Sequence, residues 1–312
     1  MKHLFLLAAA ALLSRIPALA QAPAETLLLR EPSLSRDKVA FSYAGDIWTA
    51  DRDGSNPQRL TVGPGVETNP HFSPDGQFIA YTGDYDRNAD VYVVPVRGGE
   101  PRRLTWHPSA EVVRDWTPDG KNILFSSSQE AYARSLQLFT VAATGGLPTR
   151  LPLLMGEKGS YSADGKTLAH THITNATTTW KHYRGGQTGP IWLTDLQTLA
   201  TEEIPHENAT DTSPLWLGGK VYFLSDRART NNVFVYDPAT KKVEQLTRHA
   251  DYDVKALGGH GTELVYEQAG RLHVFDIAAG KITDLKISVS PEVLALRPQY
   301  RNVAPMVRTA AR

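Results

Sequence analysis

"FSPDGQFIAYTGDYDRNADVYVVP", residues 72–95, contains two apolar strands that are joined by a polar loop and preceded by a tight turn. The Asp75-Gly76 pair is typical of a hairpin, because this dipeptide is favoured where the backbone turns with positive φ. After the loop, Asp90 leads the apolar and aromatic strand that begins at Val91. A unit recurs along the chain: a turn, an apolar strand, a loop and a second strand that begins with an acidic or polar residue.

Related turns and strands repeat at intervals of about forty to fifty residues, which indicates a repeat architecture. The turns related to SPDG at 73 are SRDK at 35, TPDG at 117, SADG at 162, WLGGK at 216 and GGHGTE at 258. The strands related to the one at Asp90 begin at Asp46, Gln137, Pro190, Asn232 and Arg271. Each is followed by a second turn, and three of these turns lead to a short strand that ends in Leu-Thr, at 60–61, 104–105 and 246–247.

Six units of four antiparallel strands, with no helical periodicity, predict an all-β fold: a six-bladed β-propeller spanning residues 21–287. The alternative, a β-solenoid, usually has a shorter repeat. The predicted blades lie near 27–61, 69–105, 113–152, 158–205, 211–247 and 251–287. Because the first and the last blade each take four consecutive strands, we expect the ring to close by side-chain packing without a shared strand.

The first twenty residues have the layout of a secretory signal peptide, with a cationic start at Lys2, an apolar run from Leu4 to Leu13 and small residues before Ala20. We therefore expect cleavage after Ala20 and a periplasmic or secreted protein. No later segment approaches the roughly 18 apolar residues of a membrane span, so no membrane insertion is expected.

The charge balance gives no reason to expect a nucleic-acid partner. The chain has 33 basic and 33 acidic residues, and removal of Lys2 and Arg15 with the signal peptide leaves 31 basic ones. Cysteine is absent, which excludes disulfides, thiolate catalysis and thiolate metal sites. No phosphate-cradling or nucleotide-binding motif is present, so no cofactor is predicted.

The loop "TWKHYRGGQTGPIW", residues 179–192, stands out as a basic, aromatic and glycine-rich segment. Strand order places it on the same face as the connections between blades, where the long irregular loops collect. Loops of this length without secondary structure are usually functional, so the predicted peptide-binding residues are Trp180, Lys181, Tyr183 and Arg184. The alternative is that Trp180 and Tyr183 only fix the loop to the scaffold.

No catalytic or metal-binding residues are predicted. His170 and His172 share one side of a strand, but a catalytic zinc site needs three protein ligands and no third is specified. His107, His206 and His249 follow outer strands in three different blades, and solvated loop positions explain them more simply than a catalytic cluster.

The chain resembles the amino-terminal six-bladed propeller of tricorn-type serine peptidases, with blades similar to those of TolB. The likeness runs from "LLLREPSLSRDKVAFSYAGDIW" at 27 to "DTSPLWLGGKVYFLSD" at 211, and the Trp-Lys-x-Tyr-Arg-Gly-Gly run from Trp180 is its most specific part. Residues 288–312 resemble the lead-in to a further domain that this chain lacks.

The resemblance implies a noncatalytic propeller domain of a periplasmic tricorn-like peptidase, which gates or tethers oligopeptides for proteolysis by domains absent from this chain. Implied partners are oligopeptides and the peptidase domains or subunits of such an assembly. Some tricorn proteins hold a substrate carboxylate with paired arginines. The corresponding loop here has only Arg114, which the resemblance adds to the predicted peptide-binding residues. Because the family's catalytic residues have no matching positions, whether the protein acts within an enzyme stays open. The alternative is a TolB-like protein–protein interaction module of the cell envelope.

Overall fold

Six separate antiparallel sheets, each of four strands, make up the described chain in a computed structural model. The structure describes residues 25–131, 135–173 and 181–289. Within these ranges no residue is in an α-helix, and no helix long and apolar enough to cross a lipid bilayer occurs. The predicted signal peptide and most of the segment 288–312 lie outside the described residues.

The sheets are the six blades of a β-propeller, and in each blade the four strands follow one another along the chain. Blade 1 comprises β1 (Arg30–Leu34), β2 (Lys38–Tyr43), β3 (Asp46–Asp51) and β4 (Gln58–Arg59). Blade 2 comprises β5 (Val66–Phe72), β6 (Phe78–Asp84), β7 (Ala89–Pro95) and β8 (Arg102–Arg103). Blade 3 comprises β9 (Glu111–Trp116), β10 (Asn122–Ser127), β11 (Gln137–Ala142) and β12 (Thr149–Arg150).

The second half of the ring repeats this order. Blade 4 comprises β13 (Gly159–Tyr161), β14 (Thr167–His170), β15 (Trp192–Asp195) and β16 (Thr201–Glu203). Blade 5 comprises β17 (Asp211–Leu217), β18 (Lys220–Ser225), β19 (Asn232–Asp237) and β20 (Lys242–Gln245). Blade 6 comprises β21 (Val254–His260), β22 (Glu263–Gln268), β23 (Arg271–Asp276) and β24 (Lys281–Leu285). The predicted six-bladed, all-β propeller is confirmed.

The SPDG turn is held by its own side chains. Ser73 Oγ donates to Asp75 Oδ1 at 2.6 Å and accepts the Phe78 N–H at 3.0 Å, while Gly76 turns the chain with a φ of 69°. The same hydroxyl–carboxylate contact joins Thr117 to Asp119 and Ser162 to Asp164. The repeated turn in the sequence is therefore one hydrogen-bonded structure that starts the second strand of a blade.

The Leu-Thr pairs have a comparable structural reason. The hydroxyls of Thr61, Thr105 and Thr247 each accept the backbone N–H of the second or third residue of the neighbouring third strand, at 2.9 Å. The threonines are buried, so an unpaired N–H at these places would be costly. Each threonine fixes the point where the chain leaves one blade for the next.

Aromatic and aliphatic side chains fill the space between neighbouring blades. In four blades an aromatic side chain of the third strand is buried in such an interblade cluster: Trp48, Tyr92, Phe139 and Phe234. This packing role is the one expected of bulky strand residues in a propeller.

The ring closes between blades 1 and 6 without a shared strand in the described chain, as predicted. Phe41 and Trp48 of blade 1 pack in one buried cluster with Val265 and Leu272 of blade 6. Backbone bonds add to this packing, because the residues just before β1 lie against the last blade. Thr26 N–H donates to Ile287 O at 2.8 Å, and Leu29 N–H donates to Gly270 O at 3.1 Å.

Candidate functional site

The innermost strands of all six blades surround an axial channel. The channel has a cavity volume of about 510 Å³ and is lined by residues of β1, β5, β9, β13, β17 and β21. Among the charged side chains that line it, Arg114, Lys158 and Lys255 are cationic, while Glu31 and Asp115 are acidic. The lining therefore has a small excess of positive charge when both carboxyls are ionised.

Bulges in the innermost strands present polar residues to this channel. The register of β1, β5 and β17 shifts at Glu31-Pro32, Asn69-Pro70 and Ser213-Pro214. The first residue of each pair has a φ of 52°, 53° and 52°, respectively. Proline cannot donate to the ladder, so a bulge is where a strand tolerates it. In β9 the register shift falls at Arg114.

Arg114 and Lys158 bring two cations to the same region of the channel. Arg114 Nε donates to Ser126 Oγ at 2.9 Å, and its guanidinium lies 3.7 Å from Glu157 Oε1. Lys158 Nζ donates to Ser213 Oγ at 3.0 Å. Burial lowers the pKa of both cations, while the carboxylates of Glu157 and Glu31 act in the opposite direction. Their positive charge is therefore only partly compensated by the protein.

Two neighbouring groups in the channel have shifted pKa values. Burial lowers the pKa of His71 to about 4, and the Arg114 charge adds to this shift. Burial raises the pKa of Asp115 to about 6, against the opposing effect of the Trp116 N–H and the Ser160 hydroxyl. At neutral pH, His71 is uncharged and Asp115 is largely ionised.

Glu31 stabilises the contact between blades 1 and 2. Its Oε2 accepts the Asn69 N–H at 2.9 Å and the Ser42 hydroxyl at 3.1 Å. Its own N–H donates to Glu267 Oε2 of blade 6 at 3.1 Å. Glu31 therefore holds three blades together beside the channel.

The cations of the 179–192 loop are paired with carboxylates of later blades. Arg184 Nη1 lies 2.7 Å from Asp226 Oδ2, and the Asp226 side chain is only 5% exposed. Lys181 Nζ lies 3.1 Å from Asp253 Oδ2. Asp253 precedes β21 in the connection between blades 5 and 6, so the loop lies on the face that also carries Thr105–Val112.

Tyr183 folds back over the glycine pair of this loop. A Cβ added at Gly185 would collide with the Tyr183 hydroxyl, whereas one added at Gly186 would meet no atom within 4 Å. Thr188 and Gly185 exchange two hydrogen bonds of 2.9 Å, which closes a compact turn. The first glycine is therefore needed for side-chain packing.

The predicted peptide-binding residues lie in two separate places. Arg114 lines the axial channel, whereas Lys181 and Arg184 contact blades 5 and 6 at the rim, and Trp180 lies outside the described residues. Sequence reasoning missed Lys158. It stands four residues before the Ser162 turn, much as Arg114 stands three before the Thr117 turn, and this spacing is visible in the sequence.

Acidic residues also occupy the junctions between blades. Asp46 pairs with Arg59 at 2.7 Å and Asp90 with Arg103 at 2.8 Å, which explains the acid at the start of these strands. Glu111, at 0% exposure, lies near Asp90, and neither of its carboxyl oxygens has a hydrogen-bond partner of good geometry among the described residues. Burial raises the pKa of Glu111 to about 7, and the Asp90 charge contributes to the shift.

The histidines considered from the sequence have separate local partners. His206 contacts Asp211 at 3.2 Å, and His249 contacts the Tyr266 hydroxyl at 2.9 Å. His107 Nδ1 accepts the Ser109 N–H at 3.0 Å. Within the described ranges, no three His, Asp or Glu side chains are grouped so that they could hold a metal ion.

The geometry agrees with the comparisons to known proteins. Residues 26–281 match the family model of the tricorn protease N-terminal β-propeller domain. Tricorn protease homolog 1 of Streptomyces coelicolor is 30% identical over 266 residues, which cover 81% of this chain and 24% of the relative. The crystal structure of the tricorn protease superposes with a TM-score of 0.76 at 26% identity, covering 85% of this chain and 27% of that one.

The comparison with a solved TolB structure shows a shared fold. A structure described as TolB from Agrobacterium tumefaciens has a TM-score of 0.53 at 20% identity, covering 83% of this chain and 80% of that one. The chain spans about a quarter of the length of the tricorn relatives it matches. On the family match and the shared architecture, the chain belongs to the tricorn protease N-terminal β-propeller family.

Proposed function

We propose that this propeller is a noncatalytic module of a tricorn-like peptidase and that it gates or tethers oligopeptides at its axial channel. The observation that carries the proposal is the pair of partly compensated cations, Arg114 and Lys158, in the channel lining. A peptide carboxylate entering the channel would find donors that are already desolvated, where charge-assisted hydrogen bonds are strongest. In this proposal the peptidase domains belong to other parts of the assembly, and the protein acts in the periplasm.

The 179–192 loop has a supporting role in this proposal. The ion pair between Arg184 and the buried Asp226 holds the loop at the rim, so that Lys181 and Tyr183 form part of the wall that a peptide passes. A single charge-assisted bond contributes roughly 1.5–3 kcal/mol, whereas association costs roughly 4–15 kcal/mol. Binding by one or two such contacts is therefore transient, as passage through a gate requires.

The proposal is tested by the binding of a tripeptide with a free carboxylate and of the same tripeptide with a C-terminal amide. The indole N–H of Trp116, which donates to His71 O at 2.9 Å beside the channel, is the reporter in NMR titrations. We expect the carboxylate form to bind about tenfold more tightly. Arg114→Met and Lys158→Met should each remove this preference, while Lys121→Met, at a side chain 79% exposed on a turn, should keep it. Equal binding of both peptides, or no shift at Trp116, would refute the proposal.

A protein–protein interaction module is the second candidate, and exposed apolar side chains favour it. Four exposed side chains lie in connections between blades on the loop-rich face: Val62 at 78%, Trp106 at 62%, Leu154 at 91% and Tyr252 at 63% exposure. Exposed apolar groups gathered on one face are typical of a contact surface. Chemical cross-linking in a periplasmic extract should then capture partners with the wild type, and lose them with the Trp106→Ser and Tyr252→Ser variants. Unchanged capture would exclude this face as the contact.

A further inference from the structure

One wall of the axial channel carries a carboxylate, and the wall across the axis carries cations. Glu31 belongs to blade 1, whereas Arg114 belongs to blade 3 and Lys158 leads into blade 4, and all three residues line the channel. The innermost strands contact one another in the order of the chain, and β1 closes the ring against β21. In a ring of six, blades 1 and 4 therefore lie on opposite sides of the axis.

The Glu31 carboxylate is held in place through one of its oxygens. Oε2 accepts the Asn69 N–H at 2.9 Å and the Ser42 hydroxyl at 3.1 Å. The backbone is constrained as well, because Glu31 has a φ of 52° at the bulge of β1 and is followed by Pro32. A left-handed conformation at a residue other than glycine persists only where the surrounding structure determines it. The carboxylate is thus positioned before any ligand binds.

The other oxygen of Glu31 can accept a hydrogen bond from a ligand. Both hydrogen bonds of the carboxylate within the described residues are made by Oε2. Glu31 is half-buried, and Oε1 is not one of the oxygens that are shut off from solvent without a partner. Solvent therefore reaches Oε1, and the solvent-filled space beside Glu31 is the channel.

The cations across the axis are held by groups other than Glu31. Lys158 Nζ donates to Ser213 Oγ at 3.0 Å, and the Arg114 guanidinium lies 3.7 Å from Glu157 Oε1. Neither cation forms an ion pair with Glu31 in the described part of the chain. Burial lowers the pKa of both cations, and the Glu31 charge acts in the opposite direction, so the charges influence one another without direct contact.

Separated opposite charges on two walls suit a ligand that carries both charges. A short peptide with free ends has an ammonium group at one end and a carboxylate at the other, and hydrogen bonds between charged partners are the strong ones. An extended tripeptide spans at most about 10 Å. The channel volume of about 510 Å³ is in the range of sites that enclose small ligands.

Asp115 also lines the channel, but it suits an ammonium group less well than Glu31 does. Its Oδ1 already accepts the Trp116 N–H at 2.8 Å. Burial raises the pKa of Asp115 to about 6, which means that its surroundings disfavour the ionised form. Asp115 is also the neighbour of Arg114 in blade 3, so a peptide bound to Arg114 by its carboxylate would have to fold back to reach it.

We infer that Glu31 selects peptides with a free amino terminus: Oε1 accepts a hydrogen bond from the α-ammonium group while Arg114 and Lys158 bind the carboxylate at the other end. The inference rests on the proposed function, because it adds a second determinant of specificity to the same channel. The ligand class is short peptides with both ends free. They bind in one orientation, with the amino end at blade 1 and the carboxyl end at blades 3 and 4.

The experiment compares trialanine with two blocked forms, N-acetyl-trialanine and trialanine amide. The Trp116 indole N–H reports binding in NMR titrations near pH 7, where most α-amino groups are protonated. We expect N-acetyl-trialanine to bind roughly tenfold more weakly than trialanine. If the amide form is weakened but the acetylated form binds as tightly as trialanine, the inference about Glu31 is overturned and the proposed function stands. Equal binding of trialanine and its amide would refute the proposed function, and this inference with it.

Three variants locate the group that binds the ammonium. Glu31→Gln keeps an oxygen for the Asn69 N–H and the Ser42 hydroxyl but removes the charge, so the preference for the free amine should disappear while the preference for the free carboxylate remains. Asp115→Asn should keep both preferences. Asp37→Asn makes the same change at an exposed position on the turn after β1 and is the matched control.

The variants can also overturn the inference. It fails if Glu31→Gln still prefers the free amine tenfold, or if Asp115→Asn loses this preference while Glu31→Gln keeps it. If Glu31→Gln does not fold, the comparison of trialanine with its acetylated form in the wild type still decides, because equal binding there excludes recognition of the amine.

Discussion

Replacing Glu111 by glutamine is expected to remove a pH dependence from the free energy of unfolding. Glu111 begins β9 and is fully buried beside Asp90, whose carboxylate pairs with Arg103 at 2.8 Å. Burial, together with the Asp90 charge, raises the pKa of Glu111 from 4.5 to about 7. The Thr105 hydroxyl and the His107 N–H act in the opposite direction on this pKa, and burial outweighs them.

The sign and size of the effect follow from these two pKa values. Between pH 4.5 and about 7 the folded protein keeps the Glu111 proton that the unfolded chain has lost, so the free energy of unfolding falls as pH rises. The fall amounts to about 3 kcal/mol in total, because each pH unit in this window contributes about 1.4 kcal/mol. Below and above the window Glu111 contributes no slope.

Urea unfolding at a series of pH values, followed by tryptophan fluorescence, measures this effect. The free energy of unfolding of Glu111→Gln minus that of the wild type should increase by about 3 kcal/mol from about pH 4.5 to about pH 8. Groups whose pKa does not depend on Glu111, such as Asp115 with its pKa raised to about 6, titrate in both proteins and cancel in the difference. Glu100→Gln, at an exposed position, is the control and should give a constant difference. A Glu111→Gln difference that stays constant within about 0.5 kcal/mol would refute the reasoning.

Two further substitutions test the rim and the ring closure. Arg184→Met leaves the buried Asp226 carboxylate without its cation, so the free energy of unfolding in urea should fall by about 2 kcal/mol. Arg184→Lys should recover part of this loss. An unchanged urea midpoint for Arg184→Met would show that the ion pair does not hold the loop. Gly258→Ala places a Cβ 2.6 Å from the backbone oxygen of Pro32 across the contact of blades 6 and 1, so thermal unfolding should show a loss of about 1–3 kcal/mol. Gly186→Ala should leave the melting temperature unchanged, and equal melting temperatures for the two glycine variants would contradict the close approach at Gly258.

The fold could be predicted because its determinants are local and repeated. The Ser73–Asp75 contact is made within a few residues of the chain, and it recurs at Thr117 and Ser162. The Leu-Thr pairs bind the neighbouring strand fourteen residues away, a constant distance within each unit. Such local patterns can be recognised in the sequence even though the residues between them differ from one blade to the next.

The environment of the site residues could not be predicted in the same way. The partner of Arg184 is Asp226, 42 residues later and in another blade, so nothing near Arg184 in the sequence indicates that its guanidinium is already paired. Lys158 meets Ser213 across 55 residues. The prolines after Glu31, Asn69 and Ser213 did carry a signal, because a proline within a strand indicates a bulge.

The contact between Thr26 and Ile287 has a consequence for how this module connects to other polypeptide. The point where the chain enters the ring and the point where it leaves are one hydrogen bond apart, at 2.8 Å. A circular permutant that joins these two points by a short linker and opens the chain between blades 3 and 4 should therefore fold to the same ring. In a longer protein the propeller would be attached to the rest of the polypeptide at one place on its surface. It could then rotate as a rigid unit without straining the segments before and after it.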